Sequence, residues 1–249
     1  MILHRLGLLA LVLASPGDLH VYLSQDGQTK LVFGPSRVDV QPNGDWLLAM
    51  RGGVEATLKR QGLSVKSDSA TALLHQKGQE TTVQKLHAIG SVVIVKAVSQ
   101  KKTRITGSSA NYQAGAREDR VDLRGPVHLV DMDSAGGSLF DATGSSGSVS
   151  MSPSAKGKDN PVRSAVLHGP VKLTLKQAGK KGGPPSKMVA TGRELTYNHT
   201  GLPSVTLTGG VVMKGLSGPL SGTFHADTVI LKLNEKGEET GFEIPERKG

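Results

Sequence analysis

Five stretches of this 249-residue chain place an apolar side chain at every second position around a central glycine. The anchors are Gly52, Gly90, Gly125, Gly169 and Gly209. Four residues before them stand Leu48, Leu86, Val121, Ala165 and Val205, and two before them Met50, Ala88, Leu123, Leu167 and Leu207. Two after them stand Val54, Val92, Val127, Val171 and Val211, and four after them Ala56, Ile94, Leu129, Leu173 and Met213. The alternate positions are mixed, with Arg51, Glu55, Asp122, Arg124, His128, His168 and Lys172 among them. A period of two places the apolar set on one face of a strand and the polar set on the other. The repetition therefore predicts five strands with one dry face each.

A second strand precedes each of these. "ITGSSANYQ", "ATGSSGSVS" and "ATGRELTYN" align on Gly107, Gly144 and Gly192, while "VKSDSATAL" and "FHADTVILK" align more loosely. Their apolar parity changes across the anchor, from Ile105 to Ala110 and Tyr112, for example. Such a change predicts a kink or bulge at that point. Pro126 and Pro170 follow two of the first set of anchors. Each removes a ladder donor, so each belongs at a sheet edge or a bulge. Turns such as "PNGD" from Pro42 complete the hairpins.

Hairpins with a single apolar face must pack against another sheet. The expected fold is all-β: an open antiparallel β jelly roll, or twisted two-sheet roll, built from five to six repeated hairpins over residues 28–245. The inward residues then form either a filled core or, if the sheets splay, an apolar groove along the repeat axis. The groove residues would be Val54, Val92, Ile94, Leu123, Val127, Leu129, Leu167, Val171, Leu173, Leu207, Val211 and Met213. Such a groove suits acyl chains. Lys101, Lys102 and Arg104, with Lys180, Lys181 and Lys187, are candidates for a basic rim that holds phosphates. An excess of 30 Lys and Arg over 21 Asp and Glu agrees with an anionic partner.

The unit "ATGRELTYNHTGLPSVTLTGGVVMKGLSGPLSGTFHADTVILKL" resembles the repeat of the organic-solvent-tolerance-A-like family, which includes the periplasmic lipopolysaccharide transport proteins A and C. The shared rhythm is Ala-x-Gly-x-x-apolar-x-Tyr, a turn, then apolar-x-Leu-x-Gly-x-Val. The resemblance implies a roll whose interior carries lipid A acyl chains, and rolls that stack end to end between two membranes. Its partners would be a lipopolysaccharide-like anionic lipid and other β jelly rolls, or copies of itself. The chain departs from the family where Gly-Pro-Val and Gly-Gly-Val replace the frequent Gly-Asn-Val, and in two Lys-rich loops.

The segment from Met1 to Ala14 reads as a signal peptide: a basic start, the run "LGLLALVLA", and small residues before "SPGD". With the resemblance, this leader implies a periplasmic location. No cysteine is present, which excludes disulfides and thiolate metal sites. No nucleophile elbow, phosphate loop or zinc-protease motif occurs, so no enzyme and no cofactor is expected. "DMDSAGG" from Asp131 begins like a calcium loop but lacks its later ligands. Aromatic residues make up 3% of the chain and do not interleave with the basic clusters, which argues against nucleic-acid binding. The alternative to a lipid carrier is a structural or surface β-repeat scaffold or adhesin with a closed core.

Overall fold

The alternating stretches are strands. The computed structural model describes residues 19–99, 101–132, 138–155, 160–177, 186–215, 222–234 and 237–245. The short strands come first: β1 (His20–Leu23), β2 (Thr29–Phe33), β3 (Ser36–Val40), β4 (Trp46–Met50), β5 (Val54–Leu58), β6 (Leu63–Ser67) and β7 (Ser69–Lys77). The long strands follow: β8 (Glu80–Val98), β9 (Lys101–Gln113), β10 (Asp119–Met132), β11 (Ser138–Met151) and β12 (Val162–Gln177). The chain continues through β13 (Ser186–Asn198), β14 (Ser204–Lys214), β15 (Thr223–Leu233) and β16 (Glu239–Glu243). They form one open antiparallel sheet that does not close into a barrel. The sheet already begins at His20, a few residues before the repeat region expected from residue 28. The expected signal segment, residues 1–14, lies outside the described residues.

From β8 to β15 each strand pairs with the next in sequence. Their ladders share one irregularity. Register shifts fall between Ile89 and Val92, Arg124 and Val127, His168 and Val171, and Thr208 and Val211. These are bulges, and they line up across the sheet as a seam. The repeat anchors sit on it. Gly125 has a φ of +83° and Gly169 a φ of +92°. That left-handed conformation costs a residue with a side chain about 1–2 kcal/mol. Pro126 and Pro170 fall inside these bulges, where a missing N–H breaks no ladder bond.

At the seam the strands fold over. Lys96 of β8 is level with Thr103 of β9 and Asp131 of β10. Asp119 stands at the far end of β10, which a straight strand would hold about 40 Å from Asp131. Lys96 Nζ nevertheless lies 3.8 Å from Asp119 Oδ2. Phe140 of β11 and Tyr197 of β13, also on opposite sides of the seam, have ring centroids 5.3 Å apart. The seam thus divides the sheet into two facing halves. One contains the Glu80–Ile89 part of β8 and the Asp119–Arg124 part of β10; the other contains Val92–Val98 and Val127–Met132.

Toward the N-terminus the seam becomes a set of breaks. β4 and β5 are separated by residues 51–53, and β6 and β7 by Asp68. The sheet forks at β8: β7, β4 and β3 continue one half, while β6, β5, β2 and β1 continue the other. The chain therefore crosses between halves at the seam, and the opposite side of the roll is a mouth bounded by strand ends and turns.

Candidate functional site

The space between the halves is dry. All twenty residues of the repeated apolar positions are at most 4% exposed. The twelve expected groove residues are among them: Val54, Val92, Ile94, Leu123, Val127, Leu129, Leu167, Val171, Leu173, Leu207, Val211 and Met213. They belong to one core cluster that reaches from β1 to β15. In this structure the two apolar faces are packed against each other, so these residues line a filled interior. One void near its mouth side, bordered by Thr103, Leu129, Asp131, Phe140, Val162 and Tyr197, measures about 10 Å³. That is room for a single water.

Lys101, Lys102 and Arg104 are exposed at the mouth end of β9, and Lys187 is exposed at the mouth end of β13. These ends belong to the same half, four strands apart in the sheet. At the usual strand spacing that is a separation of about 19 Å. Lys180 and Lys181 lie outside the described residues. The four rim candidates that are described, Lys101, Lys102, Arg104 and Lys187, thus sit on one lip of the mouth.

The mouth is lined by polar contacts, some between the halves and some within one of them. Tyr22 of β1 donates a 2.8 Å hydrogen bond to Thr81 Oγ1, and Thr29 Oγ1 donates to the Thr81 carbonyl at 2.8 Å. On the outside, Arg60 reaches Glu80 at 3.0 Å and Asp26 at 3.1 Å. Next along the roll, Lys96 Nζ donates to the Gln61 carbonyl and faces Asp119, whose Oδ1 accepts from the Gly115 amide at 3.2 Å. The Ser152–Ala155 segment spans the opening: Ser99 N donates to the Ala155 carbonyl at 3.2 Å, and Ala155 N donates to the Arg60 carbonyl at 2.8 Å. Farther along, and within single halves, Thr103 Oγ1 donates to Asp131 at 2.9 Å, and Tyr197 OH lies 3.0 Å from His199 Nδ1. Last, Gln177 of β12 and Glu239 of β16 meet in a short parallel bridge.

Two of these contacts bury charge. Lys96 and Asp119 have side chains 0% and 1% exposed. Burial pushes the Lys96 ammonium down to about 8, against the opposing pull of Asp119. Burial also pushes the Asp119 and Asp131 carboxyls up, with hydrogen bonds opposing it. The Tyr112 hydroxyl, inward on β9, is pushed up by burial as well. Neither it nor Asp119 Oδ2 has a well-formed hydrogen bond.

The chain matches no family model, no curated protein and no solved structure. The chemistry of the site is therefore read from its own geometry. Among the described residues, no group of three or more His, Asp or Glu is placed to hold a metal ion. His128 pairs with Asp141 at 2.8 Å and His168 with Glu194 at 3.0 Å, each across neighbouring strands on the outer face.

Lys96 and Asp119 were not among the expected site residues, although the parity of their strands pointed to them. Lys96 follows Val92 and Ile94 on the same parity, Asp119 precedes Val121, Thr103 precedes Ile105, and Asp131 follows Leu129. Each continues an inward stripe into a polar residue at a strand end. That was the available signal, but a polar residue at a strand end usually faces water, and only the folding over of the halves encloses it.

Proposed function

We propose that the protein is a periplasmic carrier that takes the acyl chains of a lipopolysaccharide-like lipid between its two halves and passes the lipid toward the outer membrane. One observation carries this reading: among the described residues, a dry interior runs along the roll between halves that the chain joins at the seam and that noncovalent contacts join at the mouth. Acyl chains entering there would replace one apolar contact by another at little cost. The exposed lysines and arginine on one lip stand where phosphates of a headgroup would lie. Because the interior is filled, carriage requires the halves to part. The protein acts without catalysis, by partition, and an upstream transporter drives the flow.

The same reading makes the ends of the roll its partner surfaces. At one end β1 and β3 are edge strands, with Val21, Leu23, Val38 and Val40 at least 40% exposed. At the other end, among the described residues, Thr223–Thr228 of β15 pairs on one side only. An open depression there of about 480 Å³ is bordered by Phe224, Ala226, Ile244 and Pro245. Edge strands of this kind accept another strand. Another β jelly roll, or a second copy of this chain, fits that geometry.

A scaffold with a permanently closed core is the second reading, favoured by the burial of all twelve groove residues to 3% exposure or less. A photo-crosslinking residue at Val127 or Val171 separates the two. The carrier reading expects lipid adducts in cells. Intramolecular crosslinks alone would establish the scaffold.

A further inference from the structure

We propose that Lys96, Asp119 and Tyr112 form a gate at the mouth of the roll, the point at which the two halves part most readily. The purpose of such a gate rests on the carrier reading, but its motion does not.

The three side chains come from three adjacent strands and meet inside the mouth. Lys96 and Tyr112 lie on opposite sides of the seam, and Asp119 shares the half of Tyr112. They are the charged and titratable groups of this cluster; the Gln61 carbonyl and the Gly115 amide complete it. A closed apolar core gains nothing from them. Removing an ammonium and a carboxylate from water costs several kcal/mol per ion, and their attraction recovers this only with good geometry and full hydrogen bonding. Here the geometry is poor. The two charged groups stand 3.8 Å apart. That is longer than a charge-assisted hydrogen bond. Asp119 Oδ2 and the Tyr112 hydroxyl have no well-formed partner. Each unsatisfied atom regains water when the halves separate. The cluster therefore penalises the closed state and not the open one.

Its neighbours do the opposite. The Tyr22–Thr81 and Thr29–Thr81 bonds, which cross the mouth, are short and paired. Toward the seam the facing residues are Val, Leu, Ile and Ala, whose separation would expose apolar surface. The opening begins where closure is least favoured, at Lys96, beside the lip that carries Lys101, Lys102 and Arg104.

The test is amide hydrogen exchange on the full chain, read at Ser99 and Ala155, whose N–H groups cross the mouth to the Ala155 and Arg60 carbonyls. The double variant Lys96→Met with Asp119→Leu fills the mouth with apolar side chains. It should slow exchange at both amides about tenfold, with seam amides such as Val171 unchanged. Tyr112→Phe, a conservative change, should slow them about threefold. Exchange that is unchanged or faster in either variant shows that the cluster holds the mouth shut or plays no part, and overturns the gate. A dansyl-labelled undecanoic acid supplies the second readout. Uptake by the native protein that is lost in the double variant joins the gate to the carrier reading. Slowed exchange with no uptake by the native protein leaves the gate standing and removes the lipid.

Discussion

Ser108 Oγ donates a 2.9 Å hydrogen bond to the carbonyl of Arg124, and a β-carbon built on Gly125 would lie 1.9 Å from that Ser108 Oγ. The hydroxyl satisfies a carbonyl that the bulge leaves outside the ladder, and it occupies the space a side chain would need. Ser145 and Gly169 repeat the arrangement two strands on. The recurring "GSS" of one strand and "GPV" of the next are two sides of one corner.

Gly125→Ala should therefore destabilise the protein by about 2 kcal/mol or more, since it adds positive-φ strain to a steric conflict. Adding Ser108→Gly removes the conflict and leaves the strain, so it should recover only part of the loss. Urea denaturation midpoints for the two variants check this.

Leu167 is fully buried two residues before the anchor of the fourth repeat. Truncation to Ala should cost about 3 kcal/mol, because the facing half cannot collapse fully into the space. Val40 is 68% exposed on the edge strand β3. Val40→Lys should leave stability within about 0.5 kcal/mol and weaken the proposed end-to-end association, since edge lysines oppose strand addition. Thermal melts give the first result and sedimentation velocity the second.

Two ion pairs at the mouth should respond very differently to loss of one partner. Arg60 and Glu80 are both about half exposed. Water already solvates and screens them, so Arg60→Ala should leave stability almost unchanged. Lys96 and Asp119 are enclosed. Lys96→Met alone leaves the Asp119 carboxylate buried beside apolar groups and should cost about 3–5 kcal/mol. Denaturant titrations at pH 7 compare the two.

The charged pair also predicts a pH profile. Lys96 binds its proton less tightly when folded, at about 8 against 10.5, so its contribution is fully present above pH 10.5 and is lost as pH falls through 8. The Asp119 carboxyl is raised above its ordinary 3.8, so its contribution is present below that pH and is lost as pH rises through the raised value. Both directions make neutral pH the least favourable condition for the cluster. The stability gained by the Lys96→Met, Asp119→Leu double variant should therefore be largest near neutral pH and shrink toward pH 10.5. A gain that grows as the solution is made more alkaline contradicts this assignment.

The strands were legible because alternation is local. A residue two places from Val127 shares its face whatever the rest of the chain does, and Val54, Leu129 and Met213 are inward as their parity requires. The bulges were legible for the same reason, since parity cannot change within a regular strand. Pro126 marked one of them. The forked N-terminal end, where β8 pairs with both β6 and β7, was not legible, because strand partners are set by non-local pairing.

By itself the sequence determined which side chains face inward and where each long strand bends, because both follow from backbone period and glycine stereochemistry. Tertiary structure alone decided that the dry faces meet as a filled interior and that Lys96 finds Asp119 inside it. The physical reason is distance along the chain. Those two residues lie on strands that are not neighbours and at ends that a straight sheet would hold far apart. Only the fold at the seam brings them into the same low-dielectric space.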